Sequence, residues 1–295
     1  MDQHLLVFVM AAEKENFSRA AEELHMTQPA VSQYIRSLEE MVGARLLERS
    51  NKYVRLTQAG EIVYHHAKEI LNLQTKMQRL VDDLENKTSG PLSIGASYTF
   101  GEYVLPHIMA KMLDSYPLVR PAITIGNTKE IAELVMNRQL DAGIIEGDYQ
   151  NRQLRVEALS EDKMHIVASP RHRLSQRGEK VLPQELEQER WIVREKGSGT
   201  REAAEEVFSR LGITPAQKMK FGSIQLIKES VEAGLGISLL SELAVRKELA
   251  AGSICKLETE GLPYTRQFSI VTCASFHTKA LETFLQMLGE FSISK

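Results

Sequence analysis

Between residues 17 and 38 apolar side chains recur every three or four positions, in two short runs separated by a polar turn. Ala20, Ala21 and Leu24 form the first stripe, and Ala30, Val31, Tyr34, Ile35 and Leu38 the second. That spacing predicts two amphipathic helices meeting across a tight turn. Ser18 is placed to cap the first helix, its hydroxyl accepting from an orphan backbone N–H. Thr27 caps the second, with Pro29 in the first turn, where a missing N–H costs nothing. Residues 46–56 then read as two short strands around a polar turn. Neither Pro nor Gly interrupts residues 61–87, and Thr57 can cap a helix there. Val63, Ile70, Met77 and Leu84 stand at seven-residue intervals, with Leu73 and Leu80 at the intermediate position. This is a heptad seam suited to a two-helix coiled coil, although His66 departs from it. The alternative is that the stripe packs on its own domain.

Beyond residues 88–91, a Thr-Ser-Gly-Pro hinge, the pattern changes. Apolar runs at 92–97, 122–126, 141–146, 164–168, 191–193 and 236–240 read as strands. Helical patterns at about 101–115 and 129–138 lie between the first of them. Strands alternating with helices argue for parallel sheets in an α/β domain.

The chain's 295 residues are ample for two domains, and its net charge of −3 means that any nucleic-acid footprint is local. The stretch from Arg36 to Arg55 supplies such a footprint. Cys255 and Cys273 are the only cysteines, too few and too widely spaced for a disulfide framework or a zinc site. Cys273, in an alternating run, is expected at a buried strand position. No metal or cofactor is implied. No run of eighteen apolar residues exists, so no transmembrane helix and no membrane partner are expected. Met1-Asp2-Gln3-His4 lacks the basic flank of a signal peptide. The cytoplasm is the consistent compartment.

On the second helix Gln28, Ser32, Gln33 and Arg36 point away from the apolar stripe. Gln reads adenine and Arg reads guanine through paired hydrogen bonds in the major groove. In a helix-turn-helix the N-terminal residues of the second helix meet the base edges. Arg49, Lys52 and Arg55, near the tip of the hairpin, suit phosphate contact. A solvated charged hairpin is the bland alternative.

In the second domain three strand-to-helix junctions share one design. They contain Ser97, Tyr98 and Thr99; Asn127 and Thr128; and Ser198, Gly199, Thr200 and Arg201. Thr99 and Glu102 have capping-box spacing, and 127–130 repeats it. Helix N-termini favour anions, glycines let backbone approach, and Arg201 can add a bidentate contact. The reading is a small-anion site in a cleft. Ordinary capping is the alternative for each junction alone, and a salt bridge from Arg201 to Glu146 or Glu102 would close the cleft without a ligand.

The segments Ala20-Ala21, Gln28-Pro29-Ala30-Val31-Ser32, Leu38-Glu39, Leu46-Leu47-Glu48-Arg49 and Leu56-Thr57-Gln58-Ala59-Gly60 together resemble the winged helix-turn-helix of LysR-type transcriptional regulators. The length and later segments are similar too. The resemblance implies an all-α winged helix-turn-helix domain over 1–58, a linker and dimerisation helix over 59–87, a hinge at 88–91 and an effector domain over 92–295. That domain would comprise two α/β subdomains resembling a type 2 periplasmic binding protein, about 92–161 with 266–295, and about 162–265. The implied partners are double-stranded promoter DNA, a small anionic effector, a second copy of the chain in a homodimer or homotetramer, and RNA polymerase.

By the same resemblance Ser18, Thr27, Gln28, Pro29, Ser32, Gln33 and Arg36 serve DNA reading or positioning. Glu146 and Ser223 join the effector site, and residues 223–234 form part of its wall. Residues 102–106, 125–128, 145–147 and 195–202 are similar to a subgroup tied to sulfur assimilation, and members concerned with carbon-dioxide fixation share some of these features.

Three rivals remain. An enzyme is disfavoured because Ser198 lies in Gly-Ser-Gly with no evident His and Asp relay. A solute-binding protein fits the second domain but not the first. A ligand-independent DNA-binding protein would have a merely structural cleft.

Overall fold

A computed structural model describes residues 2–49, 54–82, 88–273 and 277–291. Two compact units divide the chain, residues 1–84 and 85–295.

The first unit contains α1 (Asp2–Lys14), α2 (Phe17–Glu23), α3 (Gln28–Val42), β1 (Leu47–Arg49), β2 (Val54–Leu56) and α4 (Gln58–Asp82). Phe8, Ala20, Ala21, Val31, Ile35, Leu38 and Leu46 form its core. The cap of α2 is Asn16, not Ser18: the Asn16 side chain accepts from Ser18 N at 2.8 Å and Arg19 N at 3.1 Å. Asn16 is the residue with extended backbone, and Ser18 is already in the first helical turn, where its own N–H is one of the orphan amides that the Asn16 side chain takes up. Thr27 caps α3, accepting from Ala30 N, and Gly43 ends it in the left-handed region at φ 75°. Thr57 Oγ1 accepts from Gly60 N at 2.9 Å and starts α4. Gly60 itself is packed against β1's approach, since a Cβ there would lie 2.0 Å from Leu46 O.

On α4, Ile70, Leu73 and Met77 are exposed, and Leu80 is half-buried. Val63 departs from that seam. It packs against the head's own core, and Ile62 takes the exposed position instead. The reason is that α4 also docks on α1, with Lys68 and Tyr64 both bonded to Glu13. Leu84 and Lys52 lie outside the described residues.

The second unit runs β3 (Gly90–Ser97), α5 (Tyr98–Tyr103), α6 (Leu105–Ser115), β4 (Val119–Gly126), α7 (Thr128–Met136), β5 (Ala142–Glu146), β6 (Arg155–Ala168), α8 (Pro183–Glu187), β7 (Arg190–Arg194), α9 (Gly199–Leu211), β8 (Gln217–Phe221), α10 (Ile224–Glu232), β9 (Ser238–Ser241), α11 (Glu242–Ala251), β10 (Cys255–Lys256), β11 (Tyr264–Thr272) and α12 (Lys279–Glu290). The helix expected over 101–115 is two helices. Pro106 lacks an N–H, which a helix tolerates only in its first turn, so a new helix starts just before it and the break falls at Val104. The strand expected at 164–168 begins at Arg155, because its first half is polar on one face. Cys273 is half-buried just past the end of β11.

One curled sheet has the order β10-β6-β11-β5-β3-β4, with β9 also on β6. β3 pairs in parallel with β4 and β5, and β7 in parallel with β8. The long antiparallel pair β6 and β11 crosses between two lobes. In the first lobe Leu92, Ile94, Phe100, Ile108, Phe268 and Phe284 pack together, beside Ile131, Val135 and Ile145. In the second, Met164, Trp191, Phe208 and Leu239 pack together, beside Ile192, Ile227 and Leu240. Separate cores on either side of two shared strands bring the two lobes together at the carboxyl ends of β3, β4, β5 and β7.

Candidate functional site

In the first unit α3 has two faces. Val31, Ile35 and Leu38 are buried, whereas Gln28, Pro29, Gln33 and Arg36 are exposed and Ser32 is half-buried. Gln28 Nε2 donates to Ser32 Oγ at 3.0 Å, which orders the amide on the outward face. The hairpin is tied to the same helix. Glu39 Oε1 accepts from Leu46 N at 2.9 Å and Leu47 N at 3.2 Å. Arg49 stands opposite Val54 in the β1–β2 register, and Arg55 is exposed on β2. The polar face of α3 and the β1–β2 hairpin are therefore tied together within the first unit. The chemistry of Glu39 does not single it out in the sequence, because its role depends on a hairpin seven residues away folding back.

In the second unit the three junctions do converge, and they converge on Glu146. This residue ends β5 and is 3% exposed. Glu146 Oε1 accepts from Thr99 N at 3.1 Å, and Oε2 accepts from Thr200 Oγ1 at 3.3 Å. Thr128 Oγ1 donates to Glu146 O and accepts from Glu146 N. Thr99 is thus inside α5 rather than its cap; Ser97 occupies the cap position without a side-chain bond to the helix. The box expected at Asn127 and Glu130 is present.

The cation at this centre is Arg266 on β11, 4% exposed, and not Arg201. Its guanidinium donates to Glu146 Oε2, to Asp162 Oδ2 at 2.8 Å, to Thr200 Oγ1 at 3.0 Å and to Thr99 Oγ1 at 2.9 Å. Asp162 also accepts from Ser241 Oγ at 2.6 Å. Arg201 instead turns along its own helix to Glu205 at 2.7 Å, with a longer bond to Arg194 O. The i, i+4 spacing makes that pairing local, so neither Glu146 nor Glu102 is its partner.

Two carboxylates share one buried guanidinium, and their acidities split. Burial opposes ionisation of Glu146, but the Arg266 charge and the hydrogen bonds outweigh it and hold the carboxyl below its ordinary value. The buried Ser97 hydroxyl has no partner in hydrogen-bond geometry, yet its dipole also favours ionised Glu146. At Asp162 burial prevails over Arg266 and Ser241, and the pKa is pushed up.

Around this centre the lobes touch directly. Lys129 N donates to Gly197 O at 3.2 Å, and Asn127 Nδ2 to Glu195 Oε1 at 3.4 Å. Gly199 meets Glu146 so closely that an added Cβ would lie 2.5 Å from the Glu146 carbonyl oxygen. Arg194, held by both oxygens of Glu195, lies 4.3 Å from the centre of the Tyr98 ring. Lys228 of α10 bonds Glu248 at 2.6 Å and lies over Tyr103. Burial raises the pKa of nearby Glu102, opposed by Lys228 and Arg194. Ser198 is buried as the N-cap of α9, and Ser223 is spent capping α10, accepting from Leu226 N at 3.4 Å. Of the donors predicted to hold an anion, Thr99 and Thr200 are taken up by the protein's own Glu146 carboxylate and Thr128 by the Glu146 backbone, whereas Asn127, Arg201 and Ser223 have partners elsewhere.

Comparison with known proteins follows the same division. Residues 3–61 match the bacterial regulatory helix-turn-helix protein, lysR family, and residues 85–292 match the LysR substrate binding domain. The chain is 37% identical over 285 residues to the HTH-type transcriptional regulator CysL of Bacillus subtilis (strain 168), covering 96% of this chain and 95% of that one. It is 32% identical over 270 residues to the RuBisCO operon transcriptional regulator of Allochromatium vinosum, covering 91% and 88%. Among solved structures, a full-length OxyR variant from Pseudomonas aeruginosa has a TM-score of 0.73 at 25% identity, covering 98% of this chain and 93% of that one. Full-length CbnR complexed with its target DNA has a TM-score of 0.72 at 20% identity, covering 98% and 99%.

Proposed function

We propose, from the premise that the chain belongs to the LysR-type transcriptional regulators, that it binds promoter DNA as a homo-oligomer and is switched by a small anion between the lobes of its effector unit. It is a DNA-binding transcriptional regulator with an effector-binding domain, and not an enzyme. Among the described residues no helix is long and apolar enough to cross a membrane.

The observation that carries the switching reading is the convergence of Thr99, Thr200 and Arg266 on the Glu146 carboxylate between the lobes, with Thr128 holding the Glu146 backbone. An oxyanion of comparable size suits the same donors, and a ligand acts by preferring one arrangement of the lobes over another. Gln28, Ser32, Gln33 and Arg36 of α3 read the groove, and Arg49 and Arg55 hold the backbone. Exposed Ile70, Leu73 and Met77 on α4 support self-association, which sets two heads about one DNA turn apart, or a multiple of it, and favours a palindromic site. Sulfur oxyanions and sulfur-containing acids come first as ligand class, because residues 102–106, 125–128, 145–147 and 195–202 resemble regulators of sulfur assimilation. Small carboxylates are the second class, because the donors that hold the Glu146 carboxylate suit another carboxylate.

The test is selection of genomic DNA fragments by the full-length protein, followed by footprinting with and without these acids. Enrichment of palindromic fragments whose footprint changes with one acid is expected. A footprint indifferent to every acid would leave a ligand-independent regulator, and no enrichment at all would overturn the DNA-binding roles.

A further inference from the structure

We propose that Arg266 is a latch at the hinge, and that Glu146 is the internal anion that keeps the lobes closed until a ligand competes for the same donors. The proposal deepens the reading of the cleft as an effector site and rests on it only for its regulatory meaning.

Arg266 and Asp162 are direct partners across the antiparallel pair β11 and β6, the two strands that pass between the lobes. A register shift follows two residues later, between Phe268 and Ser269, where the ladder is easier to bend. From that position one guanidinium reaches three bodies. It bonds Asp162 on the hinge, Glu146 and Thr99 on the first lobe, and Thr200 on the second.

Thr200 adds a second crossing, since its hydroxyl donates to Glu146 Oε2 while accepting from Arg266. A buried ionic cluster of this kind is a weak source of net stability and a strong specifier of geometry, because partial disassembly strands a charge. The cluster therefore favours one hinge angle. Its charges are one cation and two carboxylates. An incoming anion gains the Arg266, Thr99 and Thr200 donors only by displacing Glu146, so ligand entry and the loss of the latch are one event.

The test needs no ligand. Lys129 N–H, bonded across the cleft to Gly197 O, reports opening by hydrogen exchange, and the amides of Ile94 and Ala96 inside β3 report unfolding of the unit. In full-length Thr200→Val, which keeps shape and removes the hydroxyl, Lys129 should exchange about tenfold faster, as loss of hydrogen bonding to charged groups implies. Ile94 and Ala96 should change much less. Glu146→Gln, isosteric and uncharged, should shift Lys129 in the same direction and serves if the first variant does not fold. Unchanged Lys129 exchange in both, or equal acceleration at all three amides, would overturn the latch. Loss of any ligand response would by itself bear on the effector reading and not on this one.

Discussion

Gly199→Ala places one methyl group into the contact between α9 and the end of β5. The new Cβ would stand 2.5 Å from the Glu146 carbonyl oxygen and 2.6 Å from the Glu146 Cβ. No side-chain rotation relieves a clash with backbone, so α9 or β5 must shift. Overpacking of this kind costs about 1–3 kcal/mol. Gly199 does not have a left-handed backbone, so the cost is steric, and the better helix propensity of Ala returns at most about 1 kcal/mol.

A net loss of about 1–2 kcal/mol lowers the melting temperature of a unit of this size by about 2–8 °C. The assay is calorimetry of the full-length protein, with Lys129 exchange in parallel, because lobes that part to relieve the clash will show it there. Gly222→Ala is the control. A Cβ there meets nothing within 4 Å, and the change should stay within about 0.5 kcal/mol. If Gly199→Ala matches this control in both melting and exchange, the close packing of the cleft is wrong.

Three further outcomes are expected. Asn16→Ala should destabilise the DNA-binding head by about 1 kcal/mol through loss of the α2 cap, whereas Ser18→Ala should stay within about 0.5 kcal/mol; denaturant unfolding of both variants compares them. Glu39→Ala frees the wing from α3, so the slope of DNA affinity against salt in fluorescence anisotropy should flatten by about one phosphate contact, and Glu39→Gln, which keeps an acceptor, should retain most of it. Asp162 has a raised folded-state pKa. Its contribution to stability is therefore fully present below the unfolded-state pKa and is lost as pH rises through the folded-state pKa. Wild type should accordingly lose stability relative to Asp162→Asn over that rise, and a difference independent of pH would show that Asp162 titrates normally.

The head is legible in the sequence because its signals are local. The three- and four-residue apolar spacing, Thr27 with Pro29, and the Thr57 start all act within one or two turns. Ser18 competes with Asn16 for the cap on paper because Ser and Asn have similar capping chemistry, and only the extended backbone at Asn16 decides between them. Val63 fits the seam on paper because periodicity does not distinguish a helix face covered by a partner from one covered by α1.

In the effector unit the three junctions are readable from their Ser, Thr and Gly content, but their occupant is not. Arg266 lies 120 positions from Glu146 and 104 from Asp162, and it meets them only because β11 runs antiparallel between β5 and β6. Arg201 stands out through its glycine-rich setting, although Glu205 one helical turn later is the simpler partner.

The central claim is a small-anion switch in the inter-lobe cleft, and the most direct measurement is a thermal-shift screen of the full-length protein. The panel is sulfite, sulfate, thiosulfate, phosphate, O-acetylserine and small carboxylates. One member, at 100 times its dissociation constant, should stabilise the protein by about 2.7 kcal/mol, with the shift retained in Arg201→Ala and lost or weakened in Thr200→Val. A flat panel from folded, DNA-competent protein would contradict the account.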